Sequence, residues 1–256
     1  MTLIDLSGKV ALVTGGSRGI GAATALMLAR AGASVGITYR ERKADAERVG
    51  KEIEQTGQQW TLVQADLARR EDCERAVQEV AHAFEKLDIF VANAGVWPPD
   101  EVPLVEMDDE QWRRTFSVNL DAVFYGTRAA LKIMEHGGRV VIVSSTAGQR
   151  GEAYHADYAA TKGAVISFVK SVCTEVAERE ITVNAVAPGW VDTEMCEVPF
   201  EREGGKGRRE IEATIPLGRV ARPEEIAGPI VFLCSGLATN ITGEILNVNG
   251  GSVLCG

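Results

Sequence analysis

The chain has 256 residues, with 27 Lys+Arg against 36 Asp+Glu and a formal net charge of -9. Its 45% hydrophobic and 25% charged residues suit a globular protein that can bury a core without disulfides or a structural metal, and they exclude a disordered, collagenous or coiled-coil chain. So acidic a chain repels phosphate backbones, which argues against a nucleic-acid partner. The cysteines (Cys73, Cys173, Cys196, Cys234, Cys255) are odd in number and widely spaced, and His82, His136 and His155 do not cluster. That pattern speaks against a disulfide framework or a metal site and for a reducing cytoplasm. No targeting segment is expected at the N-terminus. The most apolar later stretch, 226–238, is interrupted by Gly228, Pro229 and Gly236 and is too short for a bilayer.

In chain order, short apolar runs alternate with longer amphipathic stretches. Runs carrying Val or Ile at 10–14, 34–39, 60–64, 89–92, 139–144, 182–187 and 244–248 predict strands buried on both faces. Helical patterns fall between them, at 19–31, 43–56, 70–86, 108–134, 156–179 and 223–234. This alternation predicts right-handed crossovers and a single α/β domain spanning 1–256. The fold class is a Rossmann-like, doubly wound parallel sheet of about seven strands with helices on both faces. One stretch, 194–214, breaks the rhythm with Gly204-Gly205-Lys206-Gly207-Arg208-Arg209. It reads as a long polar loop, either a substrate lid or a solvated insertion.

The first strand runs into Thr14-Gly15-Gly16-Ser17-Arg18-Gly19-Ile20-Gly21. Glycines at 15, 19 and 21 allow a sharp turn and close approach to a phosphate at the start of a helix, although the spacing is not G-x-G-x-x-G. Without a ligand, it is simply a glycine-rich strand–helix turn. After the second strand comes Tyr39-Arg40-Glu41-Arg42-Lys43. A basic residue there accommodates a 2′-phosphate, so Arg40, with Arg18 in the glycine turn, points to NADP(H), or else to a solvated helix cap. Asp66 could accept from an adenine amino group or cap the next helix.

Two Tyr-x-x-x-Lys pairs occur, Tyr39/Lys43 and Tyr158/Lys162. This spacing sets both side chains on one helix face, where an ammonium lowers the phenol pKa and readies the tyrosine for proton transfer. Only Tyr158/Lys162 follows a strand whose carboxyl end carries Ser144-Ser145, on the side where parallel sheets bind ligands.

With these residues in register, the chain resembles the short-chain dehydrogenase/reductases of the compact single-domain type, from Lys9 to Gly251. Further motifs carry the likeness: Asp66-Leu67, Asn93-Ala94-Gly95, Val118-Asn119-Leu120 and Pro188-Gly189-Trp190-Val191-Asp192-Thr193. The nearest branch is that of the 3-oxoacyl-[acyl-carrier-protein] reductases, which Ile215-Pro216-Leu217-Gly218-Arg219 and Leu246-Asn247-Val248-Asn249-Gly250-Gly251 also resemble.

The resemblance implies roles. Tyr158 is the general acid/base, Lys162 tunes it and holds the nicotinamide ribose, Ser145 bonds the substrate oxygen, and Asn119 holds a water behind Lys162. Ser144, its neighbour on the strand, should face the core. Cofactor contacts are implied for Gly15, Ser17, Arg18, Gly19, Ile20, Gly21, Arg40, Asp66, Leu67, Asn93, Ala94, Gly95, Tyr158, Lys162, Pro188, Gly189, Val191 and Thr193. The cofactor expected is NADP(H), with NAD(H) as the alternative.

Trp97, Tyr154 and Trp190 would wall an apolar substrate pocket or pack under the lid, and His155, exposed at a helix start, would either touch the substrate or have no function. The activity expected is exchange between a ketone and a secondary alcohol. Alternatives are reduction of a 3-oxoacyl group on an acyl carrier protein and NAD-dependent oxidation of a sugar or cyclic alcohol. A carrier partner is disfavoured because Glu135 offsets Lys132, Glu175 follows Lys170, and the chain is acidic. Arg202, Arg208 and Arg209 of the lid argue the other way. Apolar residues on several faces of the long helices predict a further face buried against a partner, and the resemblance implies a homotetramer.

Overall fold

The structure is a computed structural model that describes residues 4–254, so Cys255 lies outside the described residues. Seven strands form one parallel sheet: β1 (Val10–Val13), β2 (Ser34–Tyr39), β3 (Trp60–Gln64), β4 (Ile89–Ala92), β5 (Arg139–Val143), β6 (Thr182–Pro188) and β7 (Ile245–Val248). Their order is β3-β2-β1-β4-β5-β6-β7, so the winding reverses between β1 and β4. The helices are α1 (Gly19–Arg30), α2 (Lys43–Glu54), α3 (Arg70–Phe84), α4 (Asp109–Phe116), α5 (Ala122–Ile133), α6 (Thr146–Arg150), α7 (Ala156–Glu175), α8 (Glu197–Thr214) and α9 (Pro223–Leu233).

The strands read as continuous apolar runs because both faces of the sheet are covered. Every residue of β1, β4 and β6 is buried. Neighbours within a strand enter opposite cores, as the pleat requires. Ala11 and Val13 join Leu28, Ile37, Ile53 and Ile230 on one face. Val10 and Leu12 join Val80, Phe90, Ile142 and Val169 on the other. The fold is thus the doubly wound α/β sheet expected.

Two elements differ from the sequence expectation. The helix predicted at 108–134 is split into α4 and α5 by a π-helical turn at Ser117–Asp121, which buries Asn119. Such turns often mark functional sites. The stretch 194–214 is not a loop. A 3-10 turn, Glu194–Cys196, leads into α8, whose helical path breaks at 202–205, where Glu203, Gly204 and Gly205 are left-handed. The helix forms because Phe200 buries an apolar contact with Ile215, Val220 and Trp190, and Arg208 pairs with Glu212 one turn on. Among the described residues, no helix is long and apolar enough to cross a membrane.

Candidate active site

A cleft of about 500 Å³ opens at the carboxyl ends of the strands, beside the reversal between β1 and β4. Gly15, at φ 64°, makes the turn after β1. Its N–H donates to Thr38 Oγ1 at 2.9 Å, and Gly16 N–H donates to the Thr38 carbonyl at 3.0 Å. The Asn93 amide, at the end of β4, donates to the Thr14 carbonyl at 2.9 Å and ties that strand to the turn. Arg18 caps α1 with no side-chain hydrogen bond to the helix's own amides, and the first turn carries no acidic residue. The opening amides of α1, at Gly19, Ile20 and Gly21, therefore meet the cleft with a positive helix end and no internal anion. This donor set fits the pyrophosphate of a dinucleotide.

At the outer end of the cleft, Arg18 Nη1 and Arg42 Nη2 each lie 2.8 Å from Glu194 Oε2. Arg40 instead pairs with its neighbour Glu41 at 2.8 Å. Asp66 Oδ1 accepts from Ala68 N–H at 3.2 Å, and its own N–H donates to Asp72 Oδ2 at 2.8 Å. It makes a turn rather than the cap of α3, which is Arg69. Arg42 and Glu194 were missed in the sequence. Arg42 stood in a quoted run of charges, but only the fold brings Glu194 across to it.

At the inner end, Ser145 caps α6, its Oγ accepting from Ala147 N–H at 3.1 Å. Tyr158 and Lys162 stand one turn apart on α7, with Lys162 Nζ 5.7 Å from the Tyr158 ring centre. Lys162 is 4% exposed, and its Nζ donates to the Val143 carbonyl at 2.8 Å. Ser144 faces inward, its Oγ donating to the Lys162 carbonyl at 2.9 Å. A Cβ on Gly148 would lie 2.4 Å from Lys162 C, so only glycine lets α6 pack this closely on α7.

Burial pushes the Tyr158 phenol well above its ordinary value, and the hydrogen bond with Ser145 pulls it part of the way back. The lowered phenol expected from the Tyr-x-x-x-Lys spacing is therefore not what the enclosed site produces. Burial also draws Lys162 down to about 8. Asn119 lies behind the cleft, buried, rather than on its surface. Its Oδ1 accepts from Val96 N–H and its Nδ2 donates to the Val96 carbonyl, both at 2.8 Å. It clamps the wall segment beside Lys162.

The eighteen residues assigned to cofactor contact all line this one cleft, with Ser145, Trp97 and Trp190. Trp97 packs edge-on to Trp190 at 5.9 Å, and Trp190 lies 6.0 Å from Phe200. Tyr154 is not brought to the cleft. It is 52% exposed at a positive-φ turn, where its carbonyl accepts from Val102 N–H. His155 is not exposed as expected. It is 4% exposed, packed 4.6 Å from Trp97, with a pKa lowered chiefly by burial. The segment after Trp97 is tied to the start of α7 by the Val102 N–H, which donates to the Tyr154 carbonyl at 3.1 Å. Glu152, Met195 and Cys196 also line the inner cleft, and no sequence motif marked them. Arg202 pairs with Glu101 at 2.6 Å and Arg208 with Asp192 at 3.0 Å, tying α8 to the rest of the wall.

A family model described as enoyl-(acyl carrier protein) reductase matches residues 15–252. The chain is 39% identical over 252 residues to the 3-oxoacyl-[acyl-carrier-protein] reductase of Synechocystis sp., covering 97% of this chain and 98% of that one. It is 38% identical over 262 residues to the hydroxynaphthalene reductase-like protein Arp2 of Metarhizium majus, with 97% and 96% covered. Among solved structures, a short-chain dehydrogenase from Burkholderia cenocepacia in complex with NADP superposes with a TM-score of 0.90 at 35% identity, covering 96% of this chain and 98% of that one.

Proposed function

This chain belongs to the short-chain dehydrogenase/reductase family of oxidoreductases, and on that premise we propose that it interconverts a small free ketone and its secondary alcohol with NADP(H), Tyr158 being the general acid/base. One observation carries the reading: a single cleft joins Ser145, Tyr158 and Lys162 at its inner end to Arg18, Arg40 and Arg42 at its outer end.

The nicotinamide, when bound, supplies or accepts the hydride; the protein supplies position and proton. The turn at Gly15 and the start of α1 hold the pyrophosphate, and Pro188, Gly189, Val191 and Thr193 line the nicotinamide end. Ser145 and Tyr158 meet the charge that grows on the carbonyl oxygen. In reduction, Tyr158 gives its phenolic proton to that oxygen, and the Lys162 ammonium stabilises the phenolate left behind. Asn119, through Val96, keeps the wall beside Lys162 in place.

A small free substrate is favoured over a carrier-bound acyl group. Two of the three arginines that could have met an acidic carrier, Arg202 and Arg208, are engaged with Glu101 and with Asp192 and Glu212. Trp97, Trp190 and Phe200 suit an apolar or cyclic body instead. A reducing cytoplasm suits the four free described cysteines.

The competing NAD-dependent reading also has an observation in its favour. Glu194 already neutralises Arg18 and Arg42, and a 2′-phosphate must displace it. Steady-state kcat/KM with NADPH and with NADH, on small ketones and on an acetoacetyl-carrier protein, decides both questions. Arg42→Asp should weaken NADPH roughly tenfold or more relative to NADH, the scale of one lost charge-assisted hydrogen bond, and Glu194→Gln should strengthen NADPH. A wild type that prefers NADH overturns the NADP(H) assignment. More than tenfold preference for the carrier-bound substrate restores the acyl-reductase reading.

Assembly as a homotetramer belongs to the same proposal. Phe124 is exposed, and Phe116, Leu131 and Phe168 are only part-buried, so α4, α5 and α7 keep apolar surface on an outward face. Light scattering at micromolar concentration should give four chain masses, and a monomer mass contradicts it.

A further inference from the structure

The proton-transfer scheme leaves the Glu152 carboxyl of the inner cleft unused. Glu152 follows α6, just before α7, and lines the cleft together with Ser145, Tyr158, Trp97 and Trp190. Trp97 is its hydrogen-bonding side chain, and its charge is felt at Tyr158. A carboxylate offers about four acceptor positions, and one indole N–H fills one of them. Trp97 and Trp190 make up much of the nearby wall, which limits the water that reaches the carboxylate. Burial accordingly pushes the Glu152 carboxyl up, against the pull of Arg150 at the rim. A carboxylate kept in such a place is costly unless another donor completes it. The group that enters this space during turnover is the substrate.

Resting on the ketone/alcohol reading above, we propose that Glu152 selects the substrate: held by the Trp97 N–H, its carboxylate accepts a hydrogen bond from a donor, a hydroxyl or an ammonium, carried close to the reacting carbonyl. The preferred substrates are then hydroxyketones, aminoketones and the corresponding diols or amino alcohols. Keto acids are rejected, because their carboxylate would meet Glu152 in a poorly solvated site. The aromatic wall takes the rest of the molecule.

Three aryl ketones of similar size test this: α-hydroxyacetophenone, its methyl ether α-methoxyacetophenone, and benzoylformate. The hydroxyl compound and its ether differ in the donor, and benzoylformate carries the anion. With NADPH, wild-type kcat/KM should favour the hydroxyketone over the ether by about tenfold or more, as expected for a hydrogen bond to a charged acceptor. Glu152→Leu should collapse that ratio to within about threefold, while Glu152→Gln, which keeps an acceptor but no charge, should retain part of it and raise benzoylformate relative to the ether. A merely structural role for Glu152 would lower all three rates together and leave the ratios alone. Equal rates on the hydroxyketone and its ether in wild type, or a ratio that survives in Glu152→Leu, overturn the proposal.

If no aryl ketone is turned over, the ketone-reductase reading fails for this class, and the inference is read by calorimetry instead. Phenylethanediol and its terminal methyl ether are titrated into protein saturated with NADP+. Tighter binding of the diol, lost in Glu152→Leu, upholds the role of Glu152, and equal affinities overturn it.

Discussion

Tyr158→Phe should lower turnover by a factor of order 10² or more, with cofactor affinity held within a few-fold. The substitution removes only the hydroxyl and keeps the ring that fills the inner cleft. In reduction, the carbonyl oxygen then gains charge with no proton to meet it. The Ser145 hydroxyl still offers a hydrogen bond, but its Oγ serves as the cap of α6 and has no lysine one turn away to stabilise it as an alkoxide. Burial holds the Tyr158 phenol high, so it keeps its proton at neutral pH and is ready to donate in the reducing direction. On the proposed reading, affinity for the cofactor rests chiefly on the turn at Gly15, the start of α1 and the arginines at the far end of the cleft, none of which the change touches. Isothermal titration with NADPH, alongside single-turnover kinetics, separates the two effects. Turnover within a few-fold of wild type would remove Tyr158 from the role of acid.

The parts of this protein legible in its sequence are those set by local pattern. Strands buried on both faces announce themselves as Val/Ile runs, and β1 to β7 fall within about a residue or two of where the pattern puts them. The glycine turn, Asn93, Ser145, Tyr158 and Lys162 could be placed in one cleft because each sits at the carboxyl end of a strand or on the helix that follows.

What the sequence concealed depends on contacts between distant segments. Glu194 looked like lid surface until the fold set it against Arg18 and Arg42. His155 looked like a polar helix start, yet Trp97 covers it. The interruption at Ser117–Asp121 inserts no unusual residue, so the helical pattern at 108–134 runs through it unmarked. In α8 the glycines at 204 and 205 and the dense charge hid a helix held by Phe200 and by ion pairs. Glu152 belongs to no pattern at all. Its interest comes from the aromatic rings around it.

Lys162→Met should abolish most activity, by a factor of order 10² or more, yet leave the protein at least as stable as wild type near pH 7. The Lys162 ammonium is enclosed, and burial brings its pKa from 10.5 to about 8. The fold therefore resists the proton that the unfolded chain holds readily. Below pH 8 that resistance is fully present and costs about 3 kcal/mol of stability. Between pH 8 and 10.5 the folded chain has given up the proton while the unfolded chain still holds it, and the cost fades as the proton becomes scarcer. Above 10.5 it is gone. Methionine has a similar length and no charge, so it escapes this cost.

The variant does lose the Nζ–H bond to the Val143 carbonyl, and leaving that acceptor unpaired takes back about 1–3 kcal/mol. The net gain near pH 7 is therefore small, between zero and about 2 kcal/mol. The diagnostic quantity is its slope. Melting temperatures measured from pH 7 to 10.5 should show the advantage of Lys162→Met over wild type shrinking as pH rises, and then reversing as only the lost hydrogen bond remains. Activity in the wild type should follow the same group from the other side, reduction weakening above about pH 8 as Lys162 loses the charge that stabilises the Tyr158 phenolate. A variant that melts well below wild type at pH 7, with a difference independent of pH, would mean that Lys162 is held for structure, and that its charge is not the strained element of the site.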